Sequence, residues 1–137
     1  MTSSLLRGGC LCGAVQFEVA GEITKFYHCH CSRCRKSTGT GHASNLFLQP
    51  AALRWLTGEE SVRSFKLPEA KRFTRQFCAS CGSPLPRQIK DTDIVIAPAG
   101  SLDTEPPARP QARIFWDSRA SWSCGGDLPA YPDYPPA

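Results

Sequence analysis

Seven of the eight cysteines of this chain occur in short clusters whose spacing suits metal binding. The clusters are a CxC pair, a CxCxxC group and a CxxC pair. They divide into a four-cysteine cluster (Cys10, Cys12, Cys78 and Cys81) and a three-cysteine cluster (Cys29, Cys31 and Cys34). Zinc prefers four thiolates in a closed tetrahedral structural site, whereas three thiolates leave one position for chemistry. We therefore predict two Zn²⁺ ions per chain.

The two clusters differ in how much of the chain they connect. The pairs of the four-cysteine cluster are far apart in sequence, so a shared metal removes much of the entropy of the unfolded chain. The three-cysteine cluster closes only a short loop and adds little architecture. We therefore predict a structural zinc at the four-cysteine cluster and a functional zinc at the three-cysteine cluster. Its fourth ligand is left open between water, substrate, His28, His42 and Cys124.

A disulfide framework in a secreted protein is the alternative interpretation of so many cysteines. The N-terminal sequence MTSSLLRGGC lacks the basic segment and apolar run of a signal peptide, so we expect a cytoplasmic protein. In that compartment, closely spaced cysteines bind metals or carry out redox chemistry. No stretch approaches the roughly 20 apolar residues of a membrane helix, so we expect no membrane partner.

The net charge of +4 counts the cysteines as neutral. Seven thiolates bound to two Zn²⁺ would reduce it to about +1, which removes the general electrostatic case for a nucleic-acid partner. Three basic residues lie beside the three-cysteine cluster: Arg33, Arg35 and Lys36. They could bind the carboxylates of a small thiol such as glutathione, and a solvated basic turn is the alternative. The sequence leaves the oligomeric state open.

The elements that must position these residues are mostly strands, because apolar residues recur with a period of two. Short strands are predicted at 14–19, 25–28, 43–47, 53–56, 62–65, 73–77, 93–97 and 113–116. Ser32 is the predicted N-cap of a short helix. We expect a mainly β fold with one or two short helices. It forms a single domain over 1–137, with a proline-rich tail from about 127 to 137 pinned by Tyr131 and Tyr134.

Five sequence blocks follow one another along the chain. The blocks are GCLCGA at 9–14, HCHCSRCRKSTG at 28–39, FCASCGS at 77–83, GSLD at 100–103 and RIFWDSRASW at 113–122. Together they resemble the glutathione-dependent formaldehyde-activating enzyme (centromere protein V) family. The resemblance implies the Mss4-like fold and zinc at both clusters. It also implies a carbon–sulfur lyase that interconverts S-(hydroxymethyl)glutathione with glutathione and formaldehyde.

The donor set of the three-cysteine cluster is compatible with this chemistry. Three thiolates over-neutralise Zn²⁺, so such a centre holds a thiolate nucleophile more readily than it activates water. A non-enzymatic zinc-binding module for protein or nucleic acid is the second hypothesis. An iron–sulfur redox protein is the third, although the CxC spacing departs from ferredoxin patterns.

Overall fold

The chain folds into two β-sheets and a short helix, seen in a computed structural model that describes residues 3–123 and 126–136. The larger sheet contains β1 (Ser3–Gly9), β2 (Gln16–Cys29), β3 (Ala43–Thr57), β7 (Arg87–Gln88), β8 (Val95–Pro98) and β9 (Ala112–Ile114). The smaller sheet contains β4 (Val62–Lys66), β5 (Thr74–Cys78) and β6 (Pro84–Leu85). The helix α1 spans Ser32–Thr38. The prediction of a mainly β fold is confirmed.

Strand order shows how the sheets are built. The larger sheet runs β1-β2-β3-β8-β7. β9 pairs with the last residues of β2, on the same edge of β2 as β1. Its pairings are antiparallel except that between β2 and β9, which is parallel. The smaller sheet runs β4-β5-β6 and is antiparallel. The chain crosses from the smaller to the larger sheet between β6 and β7.

The strands β2 and β3 are longer than predicted. β2 joins the predicted strands 14–19 and 25–28, and β3 joins the predicted strands 43–47 and 53–56. Each pair merges because the residues between the predicted strands form a register shift and not a turn. The shift lies between Gly21 and Ile23 of β2, and it faces the Gln49-Pro50 step of β3. Proline and glycine are tolerated within strands at such bulges, which keep the chain in the sheet while bending it. The prediction of separate short strands was wrong at these two places.

The main core forms on one face of the larger sheet. Val15, Phe17 and Val19 alternate with exposed or half-buried residues and are fully buried, as the period of two predicted. Leu46 and Val95 extend the same core from β3 and β8. Burial of such side chains contributes about 1.5–3 kcal/mol each. This core includes Cys10 and Cys78, so the four-cysteine cluster packs directly against the core of the larger sheet.

Helix α1 begins one residue earlier than predicted. Its N-cap is Cys31, whose Sγ accepts a hydrogen bond from the backbone N–H of Cys34 at 3.3 Å. The sequence analysis assigned this role to Ser32, because serine is a common N-cap. A cysteine sulfur can also accept from an amide, and this bond places Cys31 and Cys34 side by side. The cap is therefore part of the three-cysteine cluster.

The C-terminal segment described by the structure, 126–136, contains no strand or helix. Tyr134 is 89% exposed and Tyr131 is 48% exposed. The prediction that both tyrosines pin this tail was wrong for Tyr134, because its ring remains in solvent. In the part of the chain that the structure describes, no helix is long and apolar enough to cross a membrane.

Gly58 directly follows β3 and has a left-handed conformation, with φ of 74°. A Cβ at this position would overlap the carbonyl oxygen of Ala14. We expect Gly58→Ala to lower the free energy of unfolding by about 2–4 kcal/mol, the sum of left-handed strain and overpacking. Gly39, with φ of 71° and no atom near the added Cβ, provides the control. Gly39→Ala should cost only about 1 kcal/mol in urea unfolding, and equal losses would contradict the steric argument.

Candidate functional site

The four-cysteine cluster forms where the two sheets meet. Cys10 and Cys12 lie in the turn between β1 and β2. Cys78 is the last residue of β5, and Cys81 lies in the turn that follows it. Their Sγ atoms all lie within 4.8 Å of one another. The Sγ atoms of Cys10 and Cys12 are 3.6 Å apart, and those of Cys12 and Cys78 are 4.0 Å apart. A tetrahedron with Zn–S bonds of 2.3 Å has edges of about 3.8 Å, so this donor set fits zinc.

Hydrogen bonds to sulfur favour thiolates in this cluster. Backbone amides of Val15 and Ser80 donate to the Sγ atoms of Cys10 and Cys78, at 3.3 and 3.4 Å. The Ser83 hydroxyl lies 3.1 Å from the Sγ of Cys81, and with nearby amides it lowers the pKa of Cys81 to about 5. Amide donors to ligand sulfur stabilise negative charge. At Cys12 the amide of Ala14 lowers the pKa, but the neighbouring sulfurs of Cys10 and Cys81 outweigh it and raise the pKa to about 11. A bound cation would therefore be needed for all four sulfurs to ionise together.

The three-cysteine cluster lies at the junction of β2 and α1. Cys29 ends β2, while Cys31 and Cys34 begin the helix, and their Sγ atoms lie within 4.8 Å of one another. The Cys34 thiol beside Cys29 lowers the pKa of Cys29 to about 6. The same contact, together with burial, raises the pKa of Cys34. One thiolate thus forms readily, and a divalent cation in place of the shared protons would allow all three to ionise.

The wall of a cavity of about 520 Å³ includes all three residues of the three-cysteine cluster. None of the four cysteines of the other cluster lines it. Its wall includes residues of β2, β3, β7, β8 and β9 of the larger sheet, of β5 and β6 of the smaller sheet, and of α1. Cavities that bind small molecules commonly have volumes of about 300–1,000 Å³. The two clusters therefore differ in access to a ligand, as well as in their number of sulfurs.

The cavity wall is apolar and cationic. Apolar side chains include Phe47, Phe73 and Ile96, while Arg33, Arg75 and Arg87 supply positive charge. Within 3–123 and 126–136, no Asp or Glu lines the cavity. Burial lowers the pKa of the Arg87 guanidinium, which nevertheless stays charged at neutral pH. Such a wall favours an anionic ligand with apolar parts.

Residues 5–118 match the family model described as glutathione-dependent formaldehyde-activating enzyme. The chain belongs to this family. A Halomonas elongata protein named "Putative glutathione-dependent formaldehyde-activating enzyme" is 32% identical over 129 residues, which cover 86% of this chain and 79% of that protein. A crystal structure of a Rhodobacter sphaeroides protein has a similar fold, with a TM-score of 0.53 at 23% identity. The structural match covers 78% of this chain and 98% of the Rhodobacter protein.

The three basic residues beside the three-cysteine cluster differ in their position relative to the cavity. Of the three predicted to bind substrate, Arg33 lines the cavity, while Arg35 and Lys36 are absent from its wall. The Nη2 of Arg35 donates to the carbonyl oxygen of Ser118 at 3.4 Å. Sequence reasoning missed Arg75 and Arg87, because they are remote from the cysteines in sequence and only the fold brings them to the cavity.

The three histidines pack together and do not line the cavity. The ring centroids of His28 and His42 are 4.1 Å apart, and those of His30 and His42 are 5.1 Å apart. His28 and Cys29 are neighbours in one strand, so their side chains point to opposite faces. Among the described residues, no histidine nitrogen joins the sulfurs of the three-cysteine cluster. Cys124, also considered as a ligand, lies outside the described residues.

Phe115 lines the mouth of the cavity in a left-handed conformation, with φ of 53°. Its side chain is 63% exposed and contributes little to the core. We expect Phe115→Gly to leave the melting temperature unchanged or slightly raised, because relief of about 1–2 kcal/mol of strain offsets the entropy of glycine. Affinity for an anionic ligand of the cavity should fall several-fold, because part of the wall is lost. Thermal unfolding and ligand titration test both expectations, and a large loss of stability would contradict the first.

Proposed function

We propose that this chain is a zinc-dependent enzyme of the carbon–sulfur lyase type, which joins glutathione to formaldehyde and cleaves the product. The main support is the position of the three-cysteine cluster in the wall of a cavity large enough for a small peptide thiol. A purely structural zinc site needs no such cavity, and the four-cysteine cluster has none of its residues there. The family membership and the name of the Halomonas relative point to the same reaction.

The four-cysteine cluster would hold a structural zinc and the three-cysteine cluster a second zinc. When bound at the second site, zinc supplies a position that holds a further sulfur as its thiolate. The reaction forms a bond between the glutathione sulfur and the aldehyde carbon, and the thiol proton ends on the hydroxymethyl oxygen. Phe73 and Ile114 pack against the three-cysteine cluster and limit the access of water to the reacting sulfur. Arg33 adds positive charge beside it.

We expect the wild-type protein to accelerate exchange between glutathione with formaldehyde and S-(hydroxymethyl)glutathione. The uncatalysed addition is itself quick, so the rate is best measured at equilibrium by magnetisation exchange between the ¹³C signals of free and bound formaldehyde. Cys31→Ser should exchange at the rate seen without protein. Serine can still accept the amide of Cys34 as an N-cap, so this variant removes a ligand and keeps the helix. Equal rates for wild type, Cys31→Ser and buffer would contradict the proposed reaction.

A further inference from the structure

The floor of the cavity is a regular grid of strand residues, with the cysteines at one end. The register of the larger sheet fixes three successive rows, which are Cys29 with Ala43, then Tyr27 with Asn45 and Pro98, then Phe47 with Ile96 and Arg87. Each of these residues lines the cavity. Arg87 therefore marks the end of the floor opposite the three-cysteine cluster.

The length of this floor fits a peptide and exceeds a single amino acid. Ala43 and Phe47 are four residues apart on β3, which corresponds to about 13 Å along the strand. Arg87 lies two strands beyond β3, which adds about 10 Å across the sheet. A tripeptide spans at most about 10 Å, so a ligand that contacts both ends also needs the reach of the arginine and cysteine side chains. A sulfur at the cysteine end could thus belong to the same molecule as a carboxylate at Arg87. A single amino acid is too short for both contacts.

Arg87 is half-buried, and no protein group neutralises it. In 3–123 and 126–136, its side chain makes no hydrogen bond, and no carboxylate lies within 4.0 Å of it; the ion pairs there involve other arginines. Desolvation of an unpaired cation is unfavourable, so an anion that enters the cavity regains interaction energy. Asn45 lies between the two ends of the floor and offers an amide to a peptide backbone.

Arg75 lines the same cavity from the smaller sheet. Its Nη2 donates to the carbonyl oxygen of Gly82 at 3.1 Å, which fixes the side chain. Gln76 Nε2 donates to the carbonyl oxygen of Pro86 at 2.8 Å and so holds β5 against the segment that precedes Arg87. Arg75 and Arg87 therefore supply two positive charges to the same cavity, one from each sheet.

We propose that Arg87, assisted by Arg75, binds the carboxylates of a tripeptide-sized thiol, and thereby makes the cavity selective for peptide thiols over cysteine and uncharged thiols. This inference rests on the proposed function, because it assumes that the sulfur of the ligand lies at the three-cysteine cluster. Selectivity for peptide thiols would then depend on Arg87 and Arg75, which are remote in sequence from the basic turn at Arg33.

S-methylglutathione tests the subsite separately from the reaction, because its blocked sulfur cannot form a thiolate. We expect the zinc-loaded wild type to bind it at least ten-fold more tightly than its diethyl ester, in which both carboxylates are neutralised. Arg87→Gln should remove most of this preference, and Arg87→Lys should retain part of it through charge alone. Arg63→Gln is the matched control, since Arg63 is exposed on β4 and does not line the cavity. Titration calorimetry measures all four proteins, and their melting curves verify folding.

Two results would overturn the subsite. One is equal affinity of the wild type for S-methylglutathione and its diester. The other is an unchanged preference in Arg87→Gln. If exchange with formaldehyde is absent while the preference depends on Arg87, the proposed reaction fails and the subsite stands. If exchange proceeds equally well with glutathione and 2-mercaptoethanol, the reaction stands and the subsite fails.

Discussion

Cys78→Ala should lose one of two zinc ions and fail to fold into a stable sheet structure. Cys78 is fully buried, and its cluster joins the turn between β1 and β2 to the end of β5. Structural zinc contributes about 10–16 kcal/mol in small zinc-dependent folds, whereas whole proteins are stable by about 5–15 kcal/mol. Loss of this metal would therefore remove most or all of the stability available. Elemental analysis and far-ultraviolet circular dichroism of the purified variant measure both effects.

The wild type is the reference, and it should contain close to two zinc ions per chain. A Cys78→Ala variant with native circular dichroism and one zinc would show that the core supports the fold without this metal. Substantial iron in the wild type would instead favour the redox hypothesis. Cys34→Ala provides a matched comparison, because Cys34 is also buried and its replacement removes the same atom.

Cys34→Ala should abolish formaldehyde exchange and lose the second zinc while the sheets persist. Cys34 belongs to a small cluster with Cys29 and Ala43, separate from the main core. The three cysteines close only a short loop, so their metal removes little entropy from the unfolded chain. We expect a loss of about 1–2 kcal/mol, which corresponds to the smaller buried side chain and its cavity.

Urea unfolding, zinc content and exchange kinetics on Cys34→Ala test this expectation together. Unfolding as complete as that of Cys78→Ala would mean that both clusters are structural and would favour the non-enzymatic module. Retained exchange with one zinc would place the chemistry outside the three-cysteine cluster. The proposal of a functional site requires a folded, inactive variant with one zinc.

Cysteine spacing and strand alternation in the sequence predicted much of this architecture. The sulfurs do gather into groups of four and three, because CxC and CxxC turns bring neighbouring side chains together locally. Alternation identified the buried face at Val15, Phe17 and Val19. The strand β1 was missed, because its apolar side chains Leu5 and Leu6 are adjacent and its second buried position is Gly8, so its sequence shows no apolar alternation.

The cavity itself could not be predicted from the sequence. Its arginine end depends on the pairing of β7 with β8 and of β8 with β3, which sets Arg87 beside Ile96 and Phe47. Such long-range register is fixed by the packing of the whole sheet and leaves no local signal. The sequence leaves His28 open as a fourth ligand, because the predicted strand at 25–28 stops before Cys29. In the structure β2 continues to Cys29, so the side chains of His28 and Cys29 point to opposite faces of the sheet.

The crossing between β6 and β7 places two sheets around one cavity. Any ligand that touches both walls is then a reversible crosslink, and the free energy of unfolding rises with its concentration. At one hundred times the dissociation constant the gain is about 2.7 kcal/mol, comparable to that of an added disulfide. The resistance of this protein to unfolding would thus follow the thiol supply of its surroundings, with β5 and β8 gaining protection from hydrogen exchange together.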